Sequence, residues 1–261
     1  MDAINQIQAQ GNVMWVAPAV STSLSETHAA LVTSSTTFTN DVNYQGTTRA
    51  VKQLRQNNPA NAWEVPWLVW NFKDNTHFYY MVLKPSGWEL GKADPAYPGA
   101  QRFLATGTNV TFPVGSWNTF EIVHYQASGI MTVKVNGTVL VSFTDTERPY
   151  VSGKVGFYAE DAEVELDGVA GNINDNFEGY AAQSFSDGYS VGPWTVNFLG
   201  YGAGGIRSLV TSPSVITPPV IPTVVTPPVV TPPVITPPVI PTVPLPVISP
   251  FTGKYRSGKR R

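Results

Sequence analysis

Cysteine is absent from the chain, which excludes disulfide stapling and thiolate metal sites and leaves the redox compartment unmarked. Charge is sparse, at 13% of 261 residues, so neither a nucleic-acid-coating surface nor a charged disordered segment is expected in the body. The three histidines, His28, His77 and His124, are far apart and show no metal-ligand spacing. No run of about 18 apolar residues is free of proline, so no membrane-spanning helix is expected. The opening MDAINQIQAQGN lacks a basic and then an apolar region, so no signal peptide is read. Helical periodicity is missing from residues 1–210. A formal charge of −2 is unevenly spread: Lys254, Arg256, Lys259, Arg260 and Arg261 put +5 in the last eight residues, leaving −7 for residues 1–253. The basic tip reads either as a solvated tail or as an anchor to an anionic surface.

What is present is a series of short strands separated by turn residues. Residues 63–72 alternate Trp63, Val65, Trp67, Val69 with Glu64, Pro66, Leu68, Trp70, Phe72. Asp74-Asn75-Thr76 turns the chain. Residues 77–84 run back, with His77, Tyr79, Met81, Leu83 opposing Phe78, Tyr80, Val82, and residues 88–92 begin a third strand. Both faces carry large rings, so this ribbon is expected in the middle of a sheet, one face in a core and the other in a groove or under a loop. Strands are also predicted at 12–19, 27–33, 36–44, 49–55, 101–106, 117–126, 130–135, 138–144, 155–158 and 163–169, with Asn136-Gly137 the strongest hairpin signal. Many short strands with regular turns predict an all-β sandwich or barrel.

The segments ETHAALV, NPANAWEVPWLVW, HFYYMVLKPSGWELGKADPAYPGAQRFLATG, FTDTERPY and GKVGFYAEDAEVELDGV resemble a bacterial family of concanavalin A-like (laminin-G-like) jelly-roll domains, related to 3-keto-disaccharide hydrolases and glucanase-like or lectin-like modules. The resemblance covers about residues 12–170. It implies a jelly-roll β-sandwich but is a weak guide to activity, because this fold serves lectins, hydrolases, lyases and structural modules. Residues 175–208 are similar to the opening strands of that family, yet here they follow the last strand. The reading is a circularly permuted sandwich, with a truncated second copy as the alternative. The strands at 184–189 and 194–199 would close their own domain or be donated to a neighbouring subunit.

The organisation expected is therefore an arm at 1–11, a sandwich at 12–210, a Pro-rich arm at 211–250 and a basic tip at 251–261. In the Pro-rich arm TPPV recurs at Thr217, Thr226, Thr231 and Thr236, with fourteen prolines and no charge. Paired prolines direct such a backbone to polyproline II, with a reach on the order of 120 Å for about 40 residues. It reads as a stiff spacer or, given its Val, Ile and Thr content, as an arm that lies along another subunit's surface or bundles with copies of itself.

Glu163, Glu165 and Asp167 lie at alternate positions and so on one strand face. Retaining glycosidases need two carboxyls about 5–5.5 Å apart, and laminarinase-type enzymes of this fold use a comparable acidic strand, E-x-D-x-x-E. Here the order is E-x-E-x-D with no Trp or Met beside it, and a solvated strand face is the competing reading. Asp161, Glu163, Asp167 and Asp175 are candidate oxygen ligands for Ca²⁺, though no EF-hand pattern is present. Sugar binding needs rings for stacking and polar neighbours for hydroxyls. Trp67, His77, Tyr79, Trp88, Glu89, Lys92, Asp94, Tyr97, Gln101 and Arg102 offer both, with His77 and Tyr79 expected to point into the open face. For each tryptophan, core packing competes with this reading, and for residues 89–102 a loop closed by hydrogen bonds does. Arg148 is expected to pair with a carboxylate in a structural turn. GYGAGG at 200–205 lacks the context of a phosphate loop, and no Ser/His/Asp order stands out. The function expected is a non-catalytic structural or adhesion module with weak glycan affinity. It would sit on a particle surface, such as a virion or fibre, or be extracellular. The alternative is a polysaccharide hydrolase or lyase using carboxylates of 163–167 or 89–94.

Overall fold

The computed structural model describes residues 11–209; the Pro-rich arm, the basic tip and most of the N-terminal arm lie outside them. Seven strands come first: β1 (Gly11–Ala17), β2 (Ala29–Ser34), β3 (Val42–Gln53), β4 (Pro66–Asp74), β5 (His77–Lys84), β6 (Gly87–Ala93) and β7 (Gln101–Gly107). Five follow: β8 (Asn118–Tyr125), β9 (Ile130–Val135), β10 (Thr138–Thr144), β11 (Lys154–Glu160) and β12 (Ala162–Gly171). Four short ones end the described chain: β13 (Gln183–Ser184), β14 (Ser190–Val191), β15 (Trp194–Phe198) and β16 (Ala203–Leu209). The single helical element among these residues is a 3-10 turn at Pro98–Ala100.

The strands form two antiparallel sheets of eight, ordered β10-β9-β8-β3-β12-β1-β16-β13 and β14-β15-β2-β11-β4-β5-β6-β7. Two such sheets face to face make a jelly-roll β-sandwich. Between them, β3 sends Val42 and Tyr44 inward, β12 sends Val164 and Leu166, β4 sends Leu68 and Trp70, and β15 sends Trp194 and Val196. These side chains alternate with outward ones because a strand turns successive residues to opposite faces.

Residues 175–209 supply edges to both sheets. β16 pairs with β1 along its whole length, from Gly11↔Leu209 to Ala17↔Ala203, and β15 pairs with β2. Both pairings are within one chain. Trp194 is fully buried, 6.2 Å from the Phe177 ring, and its indole N–H donates to Asp175 Oδ2 at 3.0 Å.

Two expectations about faces are corrected. In β4, Asn71 takes a left-handed φ of 48° and the register with β5 shifts between Trp70 and Asp74. That bulge throws Phe72 to the outer face, with Trp67 and Val69, instead of leaving it with Leu68 and Trp70. In β5, Tyr79, Met81 and Leu83 face the core, so the open face belongs to Phe78, Tyr80 and Val82. In place of the strands expected at 36–44 and 49–55 there is one continuous β3, which starts only at Val42, and β16 arises from a glycine-rich stretch to which no strand was assigned.

Candidate functional site

The outer face of the second sheet carries a tract of aromatic rings from three neighbouring strands. β4 gives Trp67 and Phe72, β5 gives Phe78 and Tyr80, and β11 gives Tyr158. Ring centroids step from Phe72 to Phe78 (5.7 Å), Phe78 to Tyr80 (6.2 Å), Tyr80 to Trp67 (4.8 Å) and Trp67 to Tyr158 (5.3 Å). These are the spacings of mutually packed rings. Beside the tract opens a cavity of about 250 Å³ lined by Ala29, Leu31, Trp67, Val69, Phe72, Asn75, Phe78, Tyr158 and Phe198. Leu31, Trp67, Val69 and Phe72 are buried, as is Tyr80 of the tract, while Phe78, Tyr158 and Phe198 are half-buried.

Polar groups border the rings. The Tyr158 hydroxyl donates to Glu160 Oε2 at 3.1 Å. Burial raises the Glu160 carboxyl above the usual range, against the opposing hydrogen bond from Tyr158. The Tyr80 hydroxyl accepts from Gln101 Nε2 at 2.6 Å and donates to Glu89 Oε1 at 3.3 Å, while Lys84 Nζ holds Glu89 Oε2 at 2.9 Å. Burial, and then Glu89 for Tyr80 and Glu160 for Tyr158, push both phenols upward, so both stay neutral donors at physiological pH. The Trp67 indole N–H donates to the Trp63 carbonyl at 2.8 Å, which fixes the ring. Gly91 seats the Tyr80 ring: a Cβ there would come 2.2 Å from its atoms.

Of the residues expected to bind a ligand, Trp67, Glu89 and Gln101 reach this face. The others do not join them. Tyr79 is fully buried, stacks on Trp70 at 5.7 Å and donates its hydroxyl to Asp145 Oδ2 at 2.7 Å. Trp88 is a core residue whose indole donates to Asn109. Lys92 is fully buried, donating to Asp145 Oδ2 at 2.7 Å and to the carbonyls of Glu147 and Arg148. Asp94 accepts from Arg148 at 2.9 Å, and Arg102 pairs with Asp145 and Glu147 at 3.2 Å each. Tyr97 lies under both guanidiniums, 5.3 Å from Arg102 and 5.4 Å from Arg148. This constellation is an ion network closing the loop between β6 and β7 onto residues 145–150, since a buried charge persists only when paired. His77 stays near the β4–β5 turn, paired to Asp74 at 2.8 Å.

Glu163, Glu165 and Asp167 do share one face of β12, but it is the outer face of the first sheet, across the sandwich from the cavity. Glu165 has no exposed surface and is held by Arg49 and Arg207. Glu163 pairs with Arg207 at 2.7 Å and Lys52 at 3.3 Å. Arg207 lies 4.8 Å from the Trp15 ring and Arg49 4.7 Å from Trp117, so acid, guanidinium and indole form a ladder across the sheet. Asp167 accepts from the Gly168 N–H at 2.7 Å, and burial pushes its carboxyl up to about 6. Two of the three acids are thus locked in ion pairs rather than presented to a substrate.

The expected calcium ligands are dispersed. Asp161 is fully buried and binds Ser21 at 2.6 Å and Arg55 at 2.7 Å, whereas Asp175 accepts from Tyr180 at 2.9 Å and from Trp194. Among the described residues, no group of three or more His, Asp or Glu side chains is placed to hold a metal ion. The structure also joins Ser21, His28 and Asp161, which the sequence order did not suggest. The Ser21 hydroxyl is 3.0 Å from His28 Nδ1, yet it is fully buried and its proton goes to Asp161. It staples a loop rather than offering a nucleophile. The anchor residues Lys254, Arg256, Lys259, Arg260 and Arg261 and the TPPV arm lie outside the described residues.

A jelly-roll sandwich with one outer face built of rings and bordering polar groups defines the class of protein. The sequence model of the 3-keto-alpha-glucoside-1,2-lyase-like domain matches residues 36–169, and the chain belongs to that family. Similar solved structures include the carbohydrate binding module CBM66 from Bacillus subtilis, at 13% identity and TM-score 0.45 over 62% of this chain and 95% of that one. A double variant of human galectin-16 aligns at 14% identity and TM-score 0.38 over 53% and 91%. Domains LG4-5 of the mouse laminin alpha1 chain align at 11% identity and TM-score 0.40 over 72% and 52%. No curated protein matches the sequence.

Proposed function

We propose that this sandwich is a non-catalytic glycan-binding module and that the sugar lies on the outer face of the second sheet. The observation that carries this reading is the cavity walled by Trp67, Phe72, Phe78 and Tyr158, with Phe78 and Tyr158 half-exposed at its edge and Gln101, Glu89 and Glu160 bordering the same ring tract. Rings take the apolar faces of pyranoses, and amide and carboxylate groups take the hydroxyls. Display on a particle or cell surface through the Pro-rich arm and basic tip belongs to the same proposal. The full chain on a glycan panel should show retention of a defined subset of sugars and no release of reducing ends or unsaturated products. Trp67→Ala should abolish retention, and a folded Trp67→Ala chain that still binds would sink this face as the site. For the assembly role, the oligomeric mass of the full chain and of a chain ending at residue 210 should differ.

One observation favours a second reading, a hydrolase or lyase as the family's description suggests. Glu160 is a carboxyl raised by burial and hydrogen-bonded to Tyr158, a residue of the cavity wall, and a raised carboxyl suits a general acid or base. Turnover on any glucoside in that panel that is lost in Glu160→Gln would establish it in place of the binding module.

A further inference from the structure

The cavity's lining defines which part of a sugar it accepts. Its floor is Leu31 and Val69 and its sides include Phe72, Phe78 and Phe198. Among the lining side chains, polar atoms come from Asn75, which is exposed at the mouth, from the Tyr158 hydroxyl and from the Trp67 indole. The last two are engaged: Tyr158 donates to Glu160 and Trp67 to the Trp63 carbonyl. Most backbone groups around it are engaged, since β2, β4, β5 and β11 each pair on both sides within the sheet, with breaks at the bulges between Trp70 and Asp74 and between Val196 and Phe198.

A hydroxyl pushed to the bottom of this cavity would give up its water without finding a partner, which is unfavourable. A methyl or acetyl group there gains apolar contact instead. At about 250 Å³ the cavity is smaller than the roughly 300–1,000 Å³ of pockets enclosing drug-sized ligands but larger than the roughly 150 Å³ that encloses a benzene ring, so it takes at most one sugar ring, its apolar substituent innermost, rather than an oligosaccharide. The rest of the sugar would then lie against the half-exposed rings of Phe78 and Tyr158, its hydroxyls toward Asn75 at the mouth.

We infer that the cavity selects sugars carrying an apolar substituent, either 6-deoxy sugars or O-acetylated ones, over their fully hydroxylated counterparts. This rests on the glycan-binding reading above and specifies its ligand class. The test is calorimetric titration of the full chain with matched pairs: methyl α-L-fucoside against methyl α-L-galactoside, and 6-O-acetylglucose against glucose. The deoxy or acetylated member of at least one pair should bind about tenfold tighter or more, the scale set by a group that fits or clashes chemically with an apolar pocket. Ala29→Leu, which fills the cavity, should remove that preference. If that variant does not fold, Phe78→Ala, which opens the wall, should reduce it. Equal binding within both pairs, or tighter binding of the hydroxylated members, would overturn the selectivity while leaving a glycan site in place. Failure of all four sugars to bind would overturn the selectivity, and failure of the whole glycan panel would overturn the binding module itself.

Discussion

His124 has no exposed surface and sits against the edge of the Tyr79 ring at 5.2 Å, with Asn71 Nδ2 3.2 Å from its Nδ1. Burial lowers its pKa to about 4, against the pull of Asp145 and Asp41 in the other direction. The unfolded chain therefore binds a proton near pH 6.5 that the native state refuses until about pH 4. Stability is complete above that window and lost as pH falls through it, by on the order of 3 kcal/mol. Chemical denaturation between pH 7 and 4.5 should show this slope, and His124→Gln should flatten it. Asp167 works with the opposite sign. Its carboxyl is raised from 3.8 to about 6, so the native state holds the proton more tightly and a penalty present above pH 6 disappears as pH falls towards 3.8. Asp167→Asn keeps the acceptor for the Gly168 N–H and should stabilise the fold by about 1–2 kcal/mol at pH 8. Thermal unfolding at pH 3.5 should show almost no difference between the two chains.

At the scale of the strand, Gly91 of β6 makes room for the Tyr80 ring of β5. Gly91→Ala should displace that ring, cost about 1–3 kcal/mol through overpacking and weaken sugar retention, measured by denaturation and by the glycan panel. Strand existence was legible in the sequence wherever alternation was strong, as in 77–84 and in 63–72, where the strand itself starts at Pro66 and runs to Asp74. Which face of β5 turned inward was not, because Tyr79 and Tyr80 offer rings to both sides and a period of two is symmetric under exchange of faces. The switch of Phe72 was hidden for another reason, since nothing in the composition of 63–72 marks Asn71 as the residue that takes a left-handed φ. The acidic row Glu163, Glu165, Asp167 was legible as a face, yet its partners Arg49 and Arg207 come from strands distant in the chain, so its ion pairing was not. Lys92 reads as a surface residue by type and is buried because Asp145 meets it from the far end of β10. Of the residues on the candidate face, Trp67, Glu89 and Gln101 had been singled out from the sequence, and Phe78, Phe198 and Tyr158 had not, because an apolar ring in a strand looks the same whether it faces a core or a cavity.

Across the whole molecule, the strands from 183–209 protect an edge of each sheet. A chain ending at residue 174 would leave β1 and β2 unpaired on one side and uncover the core around Val32 and Val16. Exposed edges of that kind recruit other chains, so the truncated protein should aggregate on expression, and a soluble, cooperatively unfolding product would contradict the account of this segment. The pairing of Gly11 with Leu209 has a mechanical corollary. The polypeptide enters and leaves the sandwich at one corner, on adjacent antiparallel ribbons whose hydrogen bonds run across the strands. Tension applied through the two flanking segments therefore loads those bonds one after another, as in opening a zip, and not all at once in shear. A tether at one end alone would spare the domain, whereas a tug on both would peel it open from that corner.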